Sequence, residues 1–266
     1  MENLFRTTEL SNPAFESNNL RFITVKSKHL KGRGDICVFV PPLEDLTDVP
    51  LVILLHGVYG SAWSWSQQGG VHLTAWELIK KGEIEPMVIA MPSDGLWGDG
   101  SGYVPHIEKD FEQWIVEDVP STVWQNISMV SEQSPLFIAG LSMGGFGALR
   151  LGLKYADKFR GISAHSSITD LNQMSLFIEE ELDAYNQSDA NEQSVLGVLD
   201  KTVDKLPKIR FDCGTKDPLL KHNRMLHQAL EKRNIPHVYQ EFAGGHEWPY
   251  WQKHVEETVR FFDSYK

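Results

Sequence analysis

Six short apolar runs, each bounded by polar or turn-forming residues, alternate with helix-like stretches. No other feature restricts the folds open to this chain so strongly. The runs are VPLVILLHG (49–57), EPMVIAMP (85–92), SPLFIAG (134–140), FRGISAHS (159–166), KIRFDCG (208–214) and HVYQEF (237–242). Continuous apolar runs of this length read as strands covered on both faces, unlike the apolar/polar alternation of a half-solvated sheet. Helix-like stretches lie between or after them at 73–81, 108–130, 144–156, 219–233 and 251–264. Strands alternating with helices imply βαβ units and a mainly parallel sheet with helices on both faces. The beginning differs. LRFITVKS (20–27) and DICVFVPP (35–42) are rich in β-branched and aromatic residues and are separated by Lys-Gly-Arg-Gly. That pattern predicts an antiparallel N-terminal opening to the sheet.

At 266 residues the chain can bury one large core. It contains no internal repeat, low-complexity tract or clear linker, so one α/β domain over 1–266 is expected. Residues 167–206 interrupt the alternation with acidic and polar pieces (LFIEEELDAYNQ, NEQSVLGVL) where one crossover helix would suffice. They read as a possible cap-like insertion over the carboxyl ends of the strands, where open α/β sheets hold ligands. An ordinary surface excursion is the equal alternative.

Charge excludes some partners. A formal net charge of −11 repels phosphate backbones and anionic lipid, so neither nucleic acid nor a membrane surface is an expected partner. No run reaches the ~18 apolar residues of a membrane span. MENLFRTTELSNP lacks the basic-then-apolar pattern of a signal peptide, and a cytoplasmic protein is expected. Cys37 and Cys213 lie in apolar strand runs and are expected as buried thiols, without a bridge.

Residues 140–144 read Gly-Leu-Ser-Met-Gly, a G-x-S-x-G pattern. Composition alone would produce the bare pattern about one time in eight, so the pentapeptide needs its context. An apolar run, LFIA, enters Gly140, and GGFGALRLGLKYA leaves it with a helical pattern. Strand, sharp turn and helix are the setting of a nucleophile elbow, which makes Ser142 the candidate nucleophile. A serine hydroxyl needs a general base. His246, in AGGHEWPYW after the last strand run, sits on a loop that Gly244 and Gly245 let bend, whereas His165 ends a mid-sheet run and His254 lies inside the last helix. The acid that orients the base belongs on the loop after the preceding strand. Asp217 in KIRFDCGTKDPLL fits, with Asp212 inside the strand run and Asp170 the weaker alternative. Asp217 before Pro218 is also a plausible helix cap. Two backbone N–H groups would complete an oxyanion hole: Met143, following the nucleophile, and Val58, in His56-Gly57-Val58-Tyr59-Gly60. His56 reads as a loop-shaping residue.

These segments resemble the esterase D family, which includes S-formylglutathione hydrolases, feruloyl and acetylxylan esterases and mycolyltransferases. The matching stretches are LLHGVYGS, GLSMGGFGALRL, CGTKDPLL and GGHEWPYW, and the likeness runs over roughly 20–264, weakest at 167–206. The resemblance implies an α/β-hydrolase fold, a Ser142–His246–Asp217 triad, Val58 and Met143 as oxyanion donors, and no cofactor or metal.

The expected activity is hydrolysis of short-chain acyl, acetylated or feruloylated carbohydrate esters through an acyl-enzyme. An acyltransferase using the same triad is the nearest alternative, and a non-catalytic binding module the more distant one. Aromatics crowd the motif loops, and Trp63, Trp97, Tyr103 and Trp248 are the candidate substrate contacts, with ordinary packing an equal reading. GDGSG (98–102) is no phosphate loop, since no Gly-Lys-Ser/Thr follows. No HExxH or paired-Cys pattern suggests zinc.

Overall fold

In the computed structural model, which describes residues 5–202 and 205–266, the six apolar runs become six adjacent parallel strands. Among the described residues there are, in chain order, nine strands: β1 (Thr8–Leu10), β2 (Leu20–Ser27), β3 (Gly32–Phe39), β4 (Leu51–Leu55), β5 (Val88–Pro92), β6 (Leu136–Leu141), β7 (Gly161–His165), β8 (Lys208–Gly214) and β9 (His237–Phe242). They form one sheet in the order β1-β2-β3-β5-β4-β6-β7-β8-β9. Pairing is antiparallel from β1 through β3 to β5 and parallel from β5 to β9. The α-helices are α1 (Ser64–Gln67), α2 (Val71–Lys80), α3 (Phe111–Gln113), α4 (Val119–Asn126), α5 (Met143–Lys154), α6 (Val195–Leu199), α7 (Leu220–Lys232) and α8 (Trp248–Asp263).

Burial explains why the central runs are apolar throughout. Along β4, Leu51, Ile53 and Leu55 join the core cluster that includes Phe146 and Leu149 of α5 and Val119 and Val123 of α4. Val52 and Leu54 face the other way, toward Val71 and Ala75 of α2 and Val255, Val259 and Phe262 of α8. Helices therefore cover both faces, as the unbroken apolar runs require.

The order β5-β4-β6 means that the chain leaves β4 to one side and returns to the other. A crevice opens at such a reversal, outside the carboxyl ends of the two strands concerned. The loop after β4 and the turn after β6 meet there.

Three expectations need correction. The N-terminal turn falls earlier than predicted: the Gly-Arg-Gly of 32–34 lies inside β3, because a bare Gly34 lets the Trp114 ring pack where a Cβ would collide with it. The helix expected over 108–130 is shorter, running without a gap from Phe111 to Asn126, and it contains a π-helical stretch at Trp114–Asp118 between α3 and α4. In 167–206 the helix-like pieces form short 3₁₀ turns at Leu171–Leu176, Leu182–Tyr185 and Ala190–Gln193, followed by α6. Asp170, Asp189 and Ser194 each accept a nearby backbone N–H there, so the segment restarts repeatedly instead of propagating a helix. Arg150, fully buried on α5, anchors it by pairing with both Glu112 and Glu192.

Cys37 and Cys213 are free and buried, on strands separated by four others. Among the described residues no helix is long and apolar enough to cross a membrane.

Candidate active site

Ser142 sits between the last residue of β6 and the first of α5, with φ 54° and ψ −119°. A non-glycine residue with this backbone is strained, and such strain persists only where surrounding contacts hold it. Several do. The Ser142 N–H donates to His165 O (2.9 Å), and Ser142 O accepts from Phe146 N–H (3.1 Å) and Ile168 N–H (3.3 Å). A Cβ on Gly140 would strike the backbone of Gly144, and one on Gly144 would lie 2.5 Å from Leu55 O. The two glycines of the motif are thus required by backbone-to-backbone approach.

His246 Nε2 lies 2.9 Å from Ser142 Oγ, and His246 Nδ1 lies 2.9 Å from Asp217 Oδ2. The sequence-predicted nucleophile, base and acid, spread over more than a hundred residues, converge in one chain of hydrogen bonds. Loop pairing produces the convergence. Thr215 N–H donates to Phe242 O and Lys216 N–H to Gly244 O, each at 2.8 Å, so the loops after β8 and β9 are joined before they diverge. Gly244 has φ 142°, and a Cβ there would be 2.7 Å from Tyr250 Cδ2. Asp217 is not the cap that its place before Pro218 suggests, because Leu219 caps α7; its Oδ1 instead accepts Leu219 N–H (2.8 Å) in a local turn while Oδ2 faces the imidazole. Asp170 caps the turn at Leu171–Leu176 and does not contact His246.

Val58 and Met143 present N–H groups that find no acceptor among the described residues. Met143 opens α5, where the helix dipole favours negative charge. His56 shapes the other loop. Its Nδ1 lies 2.7 Å from Gly57 O and its Nε2 accepts Asp94 N–H (3.0 Å), so both ring nitrogens are occupied.

The four aromatic candidates separate. Trp63 is 45 % exposed. Trp97 packs edge-on against His106 and Tyr185, and Trp248 against Trp65 and Trp251. Tyr103 departs from expectation as a substrate contact. It is wholly buried, and its hydroxyl donates to His56 O (2.9 Å), so it supports the loop from beneath.

Two features escaped the sequence reading. Phe177, from the segment after β7, stacks on the His246 ring with centroids 4.9 Å apart and planes 22° apart. Nothing in the short apolar run Leu176-Phe177-Ile178, followed by three glutamates, signals this. The second is a buried polar cluster built from β7, β8 and α8. Asp212 accepts from Tyr250 Oη–H (2.6 Å) and Arg210 Nη1–H (2.6 Å), and His165 Nδ1 stands 2.8 Å from its Oδ2, off the line of a good hydrogen bond. Burial opposes ionisation of Asp212, but His165, Arg210 and the Tyr250 hydroxyl outweigh it and bring its pKa down to about 2. An Asp, an Arg and a His on neighbouring apolar strands were the available signal. No group of three or more His, Cys, Asp or Glu among the described residues is arranged to hold a metal ion.

The arrangement can deprotonate a hydroxyl as it attacks and hold the imidazolium that results. Residues 27–262 match the family described as Putative esterase. An acetyl esterase from Caldicellulosiruptor saccharolyticus is 28 % identical over 238 residues, which cover 83 % of this chain and 85 % of that protein. An S-formylglutathione hydrolase from Staphylococcus aureus superposes with a TM-score of 0.79 at 19 % identity, covering 96 % of this chain and 99 % of the other. A ferulic acid esterase superposes with a TM-score of 0.76 at 23 % identity, covering 98 % and 100 %. The superpositions establish the α/β-hydrolase fold. With the family match spanning nearly the whole chain, the protein belongs to the Putative esterase family and is a carboxylic-ester hydrolase.

Proposed function

We propose that the protein hydrolyses short-chain acyl esters, with acetylated or feruloylated carbohydrates among its substrates, through an acyl-enzyme on Ser142. The observation that carries this reading is the placement of His246 between Ser142 Oγ and Asp217 Oδ2 at 2.9 Å on each side.

The Ser142 Oγ attacks the ester carbonyl while His246 Nε2 takes its proton. Asp217 accepts the Nδ1–H, holding the tautomer and stabilising the imidazolium. Negative charge on the carbonyl oxygen develops toward Val58 and Met143 N–H, a contribution typically worth ~10²–10³ in rate per donor. The tetrahedral intermediate collapses, the alcohol leaves with the proton held on His246 Nε2, and Ser142 carries the acyl group. Water, deprotonated by the same nitrogen, then attacks the acyl-serine; His246 Nε2 returns that proton to Ser142 Oγ as the acyl–Oγ bond breaks, and the acid is released. The acetyl esterase relative supports a small acyl group.

Ser142→Ala tests the assignment. Turnover of p-nitrophenyl acetate should fall to the solution rate, and mass spectrometry of quenched wild-type protein should show one acetyl group on the peptide containing Ser142. Unchanged turnover in Ser142→Ala overturns the reading.

A further inference from the structure

We propose that Asp99 is a positioning residue that fastens the strap at 177–180 to the oxyanion loop, and that Phe177, held there, selects the alcohol portion of the ester. The inference rests on the esterase reading above and adds a specificity element to it.

Asp99 belongs to GDGSG, a motif that the triad chemistry leaves unused. Its backbone O accepts Tyr59 N–H (2.7 Å), beside the proposed donor Val58. The carboxylate oxygen Oδ2 accepts both Tyr59 Oη–H (3.2 Å) and Glu179 N–H (2.8 Å). The Asp99 N–H in turn donates to Glu180 Oε1 (2.8 Å), and Tyr59 Oη–H also lies 2.8 Å from Phe177 O. One residue therefore joins two segments that are far apart in sequence. Its loop also backs onto the oxyanion donors, since a Cβ on Gly100 would sit 2.5 Å from Met143 Sδ and 3.4 Å from Val58 Cγ1.

The consequence of this fastening is the position of Phe177, whose ring lies along one face of His246. The leaving oxygen must collect its proton from His246 Nε2, so the alcohol group passes the edge of that imidazole. The acyl carbonyl points toward Val58 and Met143 instead. A ring fixed against His246 consequently borders the alcohol. A Phe177 side chain freed by loss of Asp99 would not hold that border, although the triad itself would remain.

Two ester panels test this. In one the acyl group is always acetyl and the alcohol is p-nitrophenol or the bulkier 4-methylumbelliferone. In the other the alcohol is always p-nitrophenol and the acyl group is acetyl, butyryl or octanoyl. Phe177→Ala should raise the kcat/KM ratio of 4-methylumbelliferyl to p-nitrophenyl acetate by about tenfold, the scale of a pocket wall moved by one or two carbons. The acyl-panel ratios should stay at the wild-type values. Asp99→Ala should shift the alcohol ratio in the same direction, and Asp99→Asn, whose amide oxygen still accepts both hydrogen bonds, should restore it. An Asp99→Ala protein that loses thermal stability but keeps the wild-type alcohol ratio shows Asp99 to be merely structural and overturns the proposal. So does a change confined to the acyl panel. If Asp99→Ala fails to fold, Tyr59→Phe and Phe177→Ala decide, each expected to move the alcohol ratio. Failure of the esterase reading is separate, because it appears as residual turnover in Ser142→Ala.

Discussion

Asp217 divides its carboxylate between two duties, with Oδ2 facing His246 Nδ1 at 2.9 Å and Oδ1 accepting the Leu219 N–H at 2.8 Å. Asp217→Asn should leave the loop in place while misorienting the imidazole tautomer. A loss of about 10³–10⁴ in kcat is expected, with KM little changed. Steady-state kinetics on p-nitrophenyl acetate checks it. A loss below tenfold would show that the acid of this triad lies elsewhere.

The elbow glycines make a sharper structural prediction. A methyl group on Gly144 would meet Leu55 O at 2.5 Å, a backbone atom of the central strand that no rotamer change can move aside. Gly144→Ala should destabilise the fold by roughly 3 kcal/mol, at the upper end of ordinary overpacking, and displace the Ser142 turn. Urea unfolding gives the first effect, and labelling of Ser142 by a fluorophosphonate gives the second. A wild-type urea midpoint in Gly144→Ala would contradict the close approach of β4 and the elbow.

The convergence of Ser142, Asp217 and His246 was legible because each follows a strand signal: Ser142 after LFIAGL, Asp217 after KIRFDCG and His246 after HVYQEF. Strands buried on both faces announce themselves, and the fold puts their carboxyl ends together. The partners of Phe177 were not legible, since its segment has no periodicity and its position depends on side-chain bonds to Asp99 and Tyr59. For the same reason the 32–34 turn was misplaced. Glycines there signal a turn in sequence, while in space Gly34 makes room for Trp114.

Tyr103 and Trp63 should respond in opposite ways. Tyr103→Phe removes the bond to His56 O inside the protein and should cost about 1 kcal/mol of stability, with any activity loss following from the oxyanion loop. Trp63→Ala alters an exposed ring and should leave the melting temperature within a degree or so, acting on KM alone if on anything. Differential scanning calorimetry of both variants checks the contrast. A stability loss in Trp63→Ala equal to that in Tyr103→Phe would refute it.

Asp212 makes the fold acid-sensitive in a defined window. Its pKa is depressed from the usual carboxylate value to about 2, so the folded state favours the ionised form. The stability it adds is complete above the unfolded-state value near 4 and is lost as pH falls toward 2. The span corresponds to about 2 kcal/mol. In Asp212→Asn, Arg210 and the Tyr250 hydroxyl lose a charged partner, so the variant should be less stable at neutral pH. Its stability should then fall less between pH 4 and pH 2 than that of the wild type. Urea midpoints at pH 7, 4, 3 and 2 for both proteins measure this difference. Parallel curves over the acid range would mean that Asp212 titrates alike in the folded and unfolded chains, and that its buried partners do not hold its charge.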